Sequence, residues 1–274
     1  MKYGFTVTPG DISKNLDYAA NYNFNVVEIN LPAAVPLEML FYDQKSSVLN
    51  AFAEENLVSY AFNIPFSINI SDIIPAVREK GIKYLSECIK FAGKINASYI
   101  SMHFGKFYWF PFEDVMRRRT LDRFIEFIEP IVELCKDHDI VLALENLYPL
   151  TSNDNYYYLG DNIYDFEYLF NNIDSPYLKM CFNTGHANLA EGIEEYIDKL
   201  NHKFLNIHLS DNLGAEDEHL APGAGEINWN TFFEKMLNTN FNGPFVAECL
   251  DIPPHEVIKK FELLRVKCDH SVLI

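Results

Sequence analysis

Apolar positions along the chain gather into eight short, nearly continuous runs: Tyr3–Val7, Val26–Asn30, Val58–Asn63, Tyr99–Phe104, Ile140–Asn146, Leu178–Phe182, Phe204–Leu209 and Pro244–Leu250. A strand covered on one face alternates apolar and polar residues. These runs mostly do not, so they predict strands buried on both faces. Between them the period lengthens to that of a helix. Leu121, Phe124, Ile128, Ile131 and Cys135 recur at spacings of three and four, and Pro130 is expected to kink or interrupt that helix. Leu85, Ile89 and Ala92 share a face of a helix expected to begin near Pro75, a residue suited to a first turn. Thr231–Leu237 and Glu256–Leu264 predict the last two helices.

Strand–helix alternation repeated eight times predicts a single (β/α)8 TIM barrel over residues 1–274, with no linker or composition shift to divide it. The rival is an open doubly wound sheet, which should carry a Gly-rich phosphate turn after its first strand. The turn here reads Thr6-Val7-Thr8-Pro9-Gly10 and has no such pattern. The long irregular piece from Tyr148 to Asp161, rich in Asn, Asp and Tyr, is expected to form a rim loop. Phe107, Tyr108, Trp109 and Phe110 form an apolar lip, which either covers a substrate or packs against a second copy of the chain.

Charge narrows the partners. A formal net charge of −17 opposes association with a polyanion, so a small molecule is expected rather than nucleic acid. The one basic cluster, Arg117, Arg118, Arg119 and Arg123, reads as a solvated helix face balanced by Glu113, Asp114 and Asp122. No run approaches the roughly 18–20 apolar residues that span a bilayer, so no membrane partner is expected. The start, Met1 to Val7, enters a strand without a signal-peptide core. Cys88, Cys135, Cys181, Cys249 and Cys268 are scattered, odd in number and mostly inside apolar segments. They read as reduced, buried thiols, and the expected location is cytoplasmic.

Candidate chemistry lies where the strands are expected to end, the catalytic face of such a barrel. His103 closes the fourth run, Glu145 the fifth, and Glu248 falls in the eighth. Met180-Cys181-Phe182 stops at Asn183-Thr184-Gly185-His186, with Gly185 expected to permit a turn and a helix to follow a few residues later. The seventh run carries His208 and leads to Asp211, and the next loop offers Asp217, Glu218 and His219. Taken singly, each has an ordinary structural reading, such as a hydrogen-bonded core histidine or a salt-bridged strand end. Together, two carboxylates and an imidazole at one mouth suit a divalent cation, because buried ionisable groups need a partner.

The segments Leu144-Glu145-Asn146, Cys181 to His186, Ile207-His208-Leu209-Ser210-Asp211-Asn212 and Asp217 to Glu226 resemble the xylose-isomerase-like TIM barrels. That superfamily includes endonuclease IV and sugar epimerases such as D-tagatose 3-epimerase. The epimerase resemblance implies one metal on Glu145, Asn183, His208 and Glu248, with the two glutamates as proton-transfer groups. It also implies Mn, Zn, Co or Mg as cofactor, and a substrate site that includes His186. His103, Asn63, Asp217 and His219 are further candidates for that site. The endonuclease resemblance implies extra metals at His103 with Glu145 and at His186, Asp217 and His219. This chain departs from the family in two places. Asn183 stands where an acidic ligand is usual, and Asn63 where endonuclease IV has a histidine. The expected function is a metal-dependent isomerase or epimerase of a sugar, sugar acid or sugar phosphate, moving a proton beside a carbonyl through an enediolate. An abasic-DNA phosphodiesterase and a metal-poor, non-catalytic barrel are the alternatives.

Overall fold

The computed structural model describes residues 1–8, 12–32, 59–108, 113–150 and 156–271. Eight strands close into an all-parallel barrel: β1 (Lys2–Val7), β2 (Val26–Asn30), β3 (Ser59–Asn63), β4 (Tyr99–His103), β6 (Val141–Glu145), β8 (Leu178–Asn183), β9 (Phe204–Leu209) and β10 (Pro244–Ala247). Each coincides with an expected apolar run, within one to three residues at its ends. Two further short strands, β5 (Lys106–Tyr108) and β7 (Tyr156–Tyr158), pair antiparallel outside the barrel. Part of the expected rim loop from Tyr148 is therefore a strand. Residues 151–155, and Trp109 and Phe110 of the apolar lip, lie outside the described residues. Phe107 of that lip is buried and Tyr108 is exposed.

The helices are α1 (Ile12–Asn21), α2 (Pro75–Lys94), α3 (Glu113–Asp137), α4 (Ile163–Asn172), α5 (Thr184–Leu189), α6 (Ile193–Leu200), α7 (Trp229–Met236) and α8 (Pro254–Ser271). Pro75 opens α2 as expected. Pro130 does not interrupt α3, which runs unbroken from Glu113 to Asp137. The apolar stripe explains this. Leu121, Phe124, Ile128, Ile131 and Cys135 are all buried against the barrel, and burying each large one contributes about 1.5–3 kcal/mol, enough together to carry a missing backbone bond.

The main core lies between strands and helices, and among the described residues a separate small apolar cluster of Val26, Ala61 and Tyr99, with Val141 and Leu205 packed on it, forms a floor in the barrel. Above that floor the interior turns polar: Glu28, Ser101, Cys181, Asn206, Glu145, Asn183 and His208 are all buried.

The β5–β7 pair is stapled to the barrel wall. One guanidinium nitrogen of Arg117 on α3 donates to the Tyr158 carbonyl (3.3 Å), Asp161 (2.7 Å) and Asp165 (2.7 Å), and Asp165 also accepts the Gly160 N–H (2.8 Å). Burial outweighs the Arg117 charge at Asp165 and lifts its carboxyl to about 6. Arg117 is thus a half-buried pin rather than part of a solvated basic face, although it also pairs with the expected Glu113 at 3.5 Å. Of its neighbours, Arg118 pairs with Asp122, and Arg123 donates to the Ser71 carbonyl. All five cysteines are free thiols, and four are buried. Among the described residues no helix is long and apolar enough to cross a membrane.

Candidate functional site

Parallel register brings the strand ends to one mouth. His103 is paired with Glu145 across β4 and β6, Asn183 with His208 across β8 and β9, and Glu248 follows the last residue of β10. His208 Nδ1 lies 3.1 Å from Glu248 Oε2 and 3.4 Å from Glu145 Oε1. His103 Nε2 approaches Glu145 Oε2 at 3.6 Å, and its ring meets Phe66 edge-on at 5.2 Å. Asn63 ends β3, buried, beside Ser101 of β4.

Behind His208 stands a residue that the sequence reading passed over. Glu28, in the middle of β2 and fully buried, places Oε1 2.9 Å from His208 Nε2. Tyr99 donates to its other oxygen (2.7 Å) and Ser101 adds a longer bond (3.3 Å). Its only signal in the sequence was a carboxylate inside the apolar run Val26-Val27-Glu28-Ile29. Burial disfavours the His208 cation, but Cys181 and the carboxylates of Glu28, Glu248 and Glu145 more than reverse this and raise it well above an ordinary imidazole. Burial likewise disfavours the Glu145 anion, yet His208, His103 and His186 hold it well below the usual carboxylate range. Burial lowers His103.

Two details correct the expected picture of the segment around Asn183. Helix α5 begins directly at Thr184, so His186 sits in its first turn, and Asn183 is the N-cap that accepts the His186 N–H at 3.1 Å. Gly185 adopts no left-handed turn. It is needed because a Cβ there would collide with Ser210 Oγ. Asn146 locks the same ends together. Its side chain accepts the Asn183 N–H (2.7 Å) and donates to the Asn183 carbonyl (3.0 Å), extending the β6–β8 ladder by one step.

Asn183 was expected to offer its amide oxygen to a metal. That oxygen instead accepts the His186 N–H and the Ser210 hydroxyl (3.0 Å), while Nδ2 donates to Glu145 Oε1 (2.9 Å) and Glu248 Oε2 (2.8 Å).

A second cluster lies nearer solvent. Asp217 Oδ2 is 3.1 Å from both His186 Nε2 and His219 Nε2. His186 Nδ1 is 2.7 Å from the Asn146 carbonyl, and His219 Nδ1 is 2.9 Å from the Glu248 carbonyl. The hydrogen bond to Asp217 outweighs burial and lifts His219 to about 9. Burial disfavours the Asp217 anion, but the two imidazoles hold it well below its usual range. Burial also opposes the His186 cation, and Asp217 and Glu145 raise it nonetheless. Asp211, though close in sequence, belongs to neither cluster. Its two oxygens accept from the N–H groups of Asn212, Gly223 and Ile227 and from the Trp229 indole, anchoring the loop that delivers Asp217 and His219.

Two groups of side chains bring ligand-type atoms within 4.8 Å of one another: Glu145 with Cys181 and His208, and His186 with Asp217 and His219. Glu145 Oε2 and both His208 nitrogens are buried without an aligned hydrogen bond. Buried ligand-type atoms without an aligned partner, Glu145 Oε2 and His208 Nδ1 among them, suit a divalent cation. Tyr148, whose ring lies 5.3 Å from that of His186, and Phe66 add aromatic walls at the mouth. Neither stood out in the sequence.

The architecture finds matches among known proteins. A solved D-tagatose 3-epimerase-like protein superposes with a TM-score of 0.79 at 24% identity, covering 97% of this chain and 99% of its own. L-ribulose 3-epimerase superposes with a TM-score of 0.77 at 14% identity, covering 99% and 97%. By sequence, the uncharacterized protein MJ1311 of Methanocaldococcus jannaschii is 25% identical over 97% of this chain and 88% of its own length. The model of the xylose isomerase-like TIM barrel family matches residues 16–266, and the chain belongs to that family.

Proposed function

We propose that the protein is an isomerase or epimerase of a sugar, sugar acid or sugar phosphate, with a divalent cation on Glu145, His208 and Glu248. The observation that carries this reading is the convergence of two carboxylates on one imidazole at the barrel mouth, 3.4 and 3.1 Å from His208 Nδ1. When bound, such a cation supplies Lewis acidity to a carbonyl and an adjacent hydroxyl. The chain's own residues do the rest. Glu145 and Glu248 exchange the proton on the carbon beside the carbonyl, one removing it and the other returning it on the opposite face. Glu28 holds the Nε2 edge of His208, which leaves Nδ1 for the site. His186, Asp217 and His219 bind substrate hydroxyls, His103 and Asn63 lie along the same mouth, and Phe66 and Tyr148 exclude water from it. The substrate is a carbohydrate and the cation is Mn, Zn, Co or Mg.

The test is proton exchange. Ketopentoses, ketohexoses and their phosphates are incubated with the Mn-loaded protein in D2O and followed by NMR. Deuterium should enter the carbon beside the carbonyl, and Glu145→Gln and Glu248→Gln should each reduce its rate by about a thousandfold or more. The cluster of His186, Asp217 and His219 favours a second reading, a multi-metal phosphodiesterase on abasic DNA. Against it stand Asn63 in place of a histidine and the commitment of Arg117 to Asp161 and Asp165. Absence of exchange together with incision of an abasic duplex by wild type but not Glu145→Gln would replace the first reading by the second.

A further inference from the structure

We infer that Asn183 is not a metal ligand but a hydrogen-bond clamp that joins Glu145 to Glu248, and that a cation in this site is held by Glu145, His208 and Glu248 without it. The inference rests on the reading of the two glutamates as the working pair. Asn183 is fully buried, and each end of its amide is committed. The carbonyl end caps α5 through the His186 N–H and accepts the Ser210 hydroxyl, at 3.1 and 3.0 Å. The amino end spends its two hydrogens on Glu145 Oε1 and Glu248 Oε2, at 2.9 and 2.8 Å.

Nitrogen and oxygen of an asparagine look alike, and the surrounding network decides their assignment. Here it decides firmly. Turning the amide over would face the NH2 group against a backbone N–H, which can only donate. It would also press the carbonyl oxygen against two carboxylate oxygens. Both changes place unsatisfied or repelling groups around a fully buried side chain. Offering the oxygen to a cation therefore requires dismantling a helix cap and a bridge together.

The clamp has an electrical meaning. A carboxylate at position 183 would keep the cap with one oxygen and aim the other at Glu145 and Glu248. Three anions would then converge, and only a dication could hold them. The amide brings two positive hydrogen-bond donors to that place, so the glutamates are held together whether or not a cation is bound. The backbone supports the same geometry, since Asn146 ties residue 183 to the end of β6 from the other side. Asn183 is thus a positioning residue for the two glutamates.

Two substitutions in the full-length chain test this, read by thermal unfolding in EDTA and by calorimetric titration with Mn. Both measurements stand whether or not any sugar is turned over, so failure of the clamp is distinguishable from failure of the proposed reaction. Asn183→Ser keeps a good cap acceptor but deletes both donors. It should lower the metal-free melting temperature by about 5 °C while leaving Mn affinity within roughly threefold of wild type or tighter. Asn183→Asp keeps the cap and places a third anion in the cluster. It should lower the metal-free melting temperature by roughly 5–10 °C, tighten Mn binding about tenfold or more, and regain its stability when Mn is added. Loss of about tenfold or more in Mn affinity in Asn183→Ser would make the amide a ligand and overturn the proposal. So would a metal-free Asn183→Asp that melts at or above wild type. That second arm decides the question if the serine variant does not fold.

Discussion

The mouth of the barrel holds two clusters of charge built on opposite plans. The inner one, Glu28, Glu145, His208 and Glu248, hangs almost entirely from strands. Its spacing follows from parallel register and closure of the sheet, and several of its polar atoms lack an aligned partner. The outer one, His186, Asp217 and His219, takes one residue from a short helix and two from a loop. It is held by its own ion pairs, with Asp217 between two imidazoles at 3.1 Å each. The inner cluster is thus set by the sheet, and within it Glu145 Oε2 and both His208 nitrogens are buried without an aligned partner. The outer one is held by ion pairs that depend on the protonation of its histidines, and its one orphaned atom is Asp217 Oδ1. We assign chemistry to the first and substrate holding to the second on that difference.

The contrast can be tested most sharply at Glu28. It touches no substrate in the proposed reading and acts only through His208. Glu28→Gln keeps the shape but removes the charge that steers the imidazole proton. Mn affinity and exchange activity should both fall roughly 10–100-fold. Unchanged Mn affinity would reduce Glu28 to a structural group. A smaller effect is expected in the outer cluster. Asp217→Asn should raise KM up to about tenfold with kcat little changed, because it weakens the hold on His186 and His219 without touching the glutamates. A fall in kcat of equal size would move the outer cluster into the chemistry.

The smallest effect is a pH slope in the metal-free protein. His219 is raised to about 9 by Asp217, from an ordinary value near 6.5 in the unfolded chain. A raised imidazole stabilises the fold fully below the unfolded value and loses that contribution as pH climbs through the folded one. The wild type should therefore lose more stability than His219→Gln between pH 6.5 and 9. The difference should be about 1 kcal/mol after allowance for solvent screening of a side chain that is 22% exposed. Urea unfolding at the two pH values measures it, and parallel slopes would show that folding does not shift the titration of His219.

The barrel was legible because strands buried on both faces leave continuous apolar runs, and all eight runs became barrel strands. The glutamates and histidines at the ends of those runs were legible for the same reason. A periodic pattern does not report which way an amide is turned, so Asn183 was read by its residue type alone. Glu28 was hidden inside a run whose hydrophobicity was the signal being followed. Gly185 looked like a turn, since sequence does not show that Ser210 of another strand's end would occupy the space of its Cβ. Pro130 looked like a break, because its local cost is visible in sequence while the burial of α3 that offsets it is not. Arg117 looked like surface, because its two buried acid partners, Asp161 and Asp165, lie 44 and 48 positions away in the chain, and only the half-exposed Glu113 lies near it.

That arginine has a consequence for how the protein can diversify. The β5–β7 pair is fixed by Arg117 through Tyr158, Asp161 and Asp165, and none of these anchors belongs to the cluster of Glu28, Glu145, His208 and Glu248. Exposed positions on the pair, such as Tyr108, can therefore change while the strand-borne groups keep their register. The short strand pair and the strand-end cluster are thus held by separate sets of contacts, and either can vary without loosening the other.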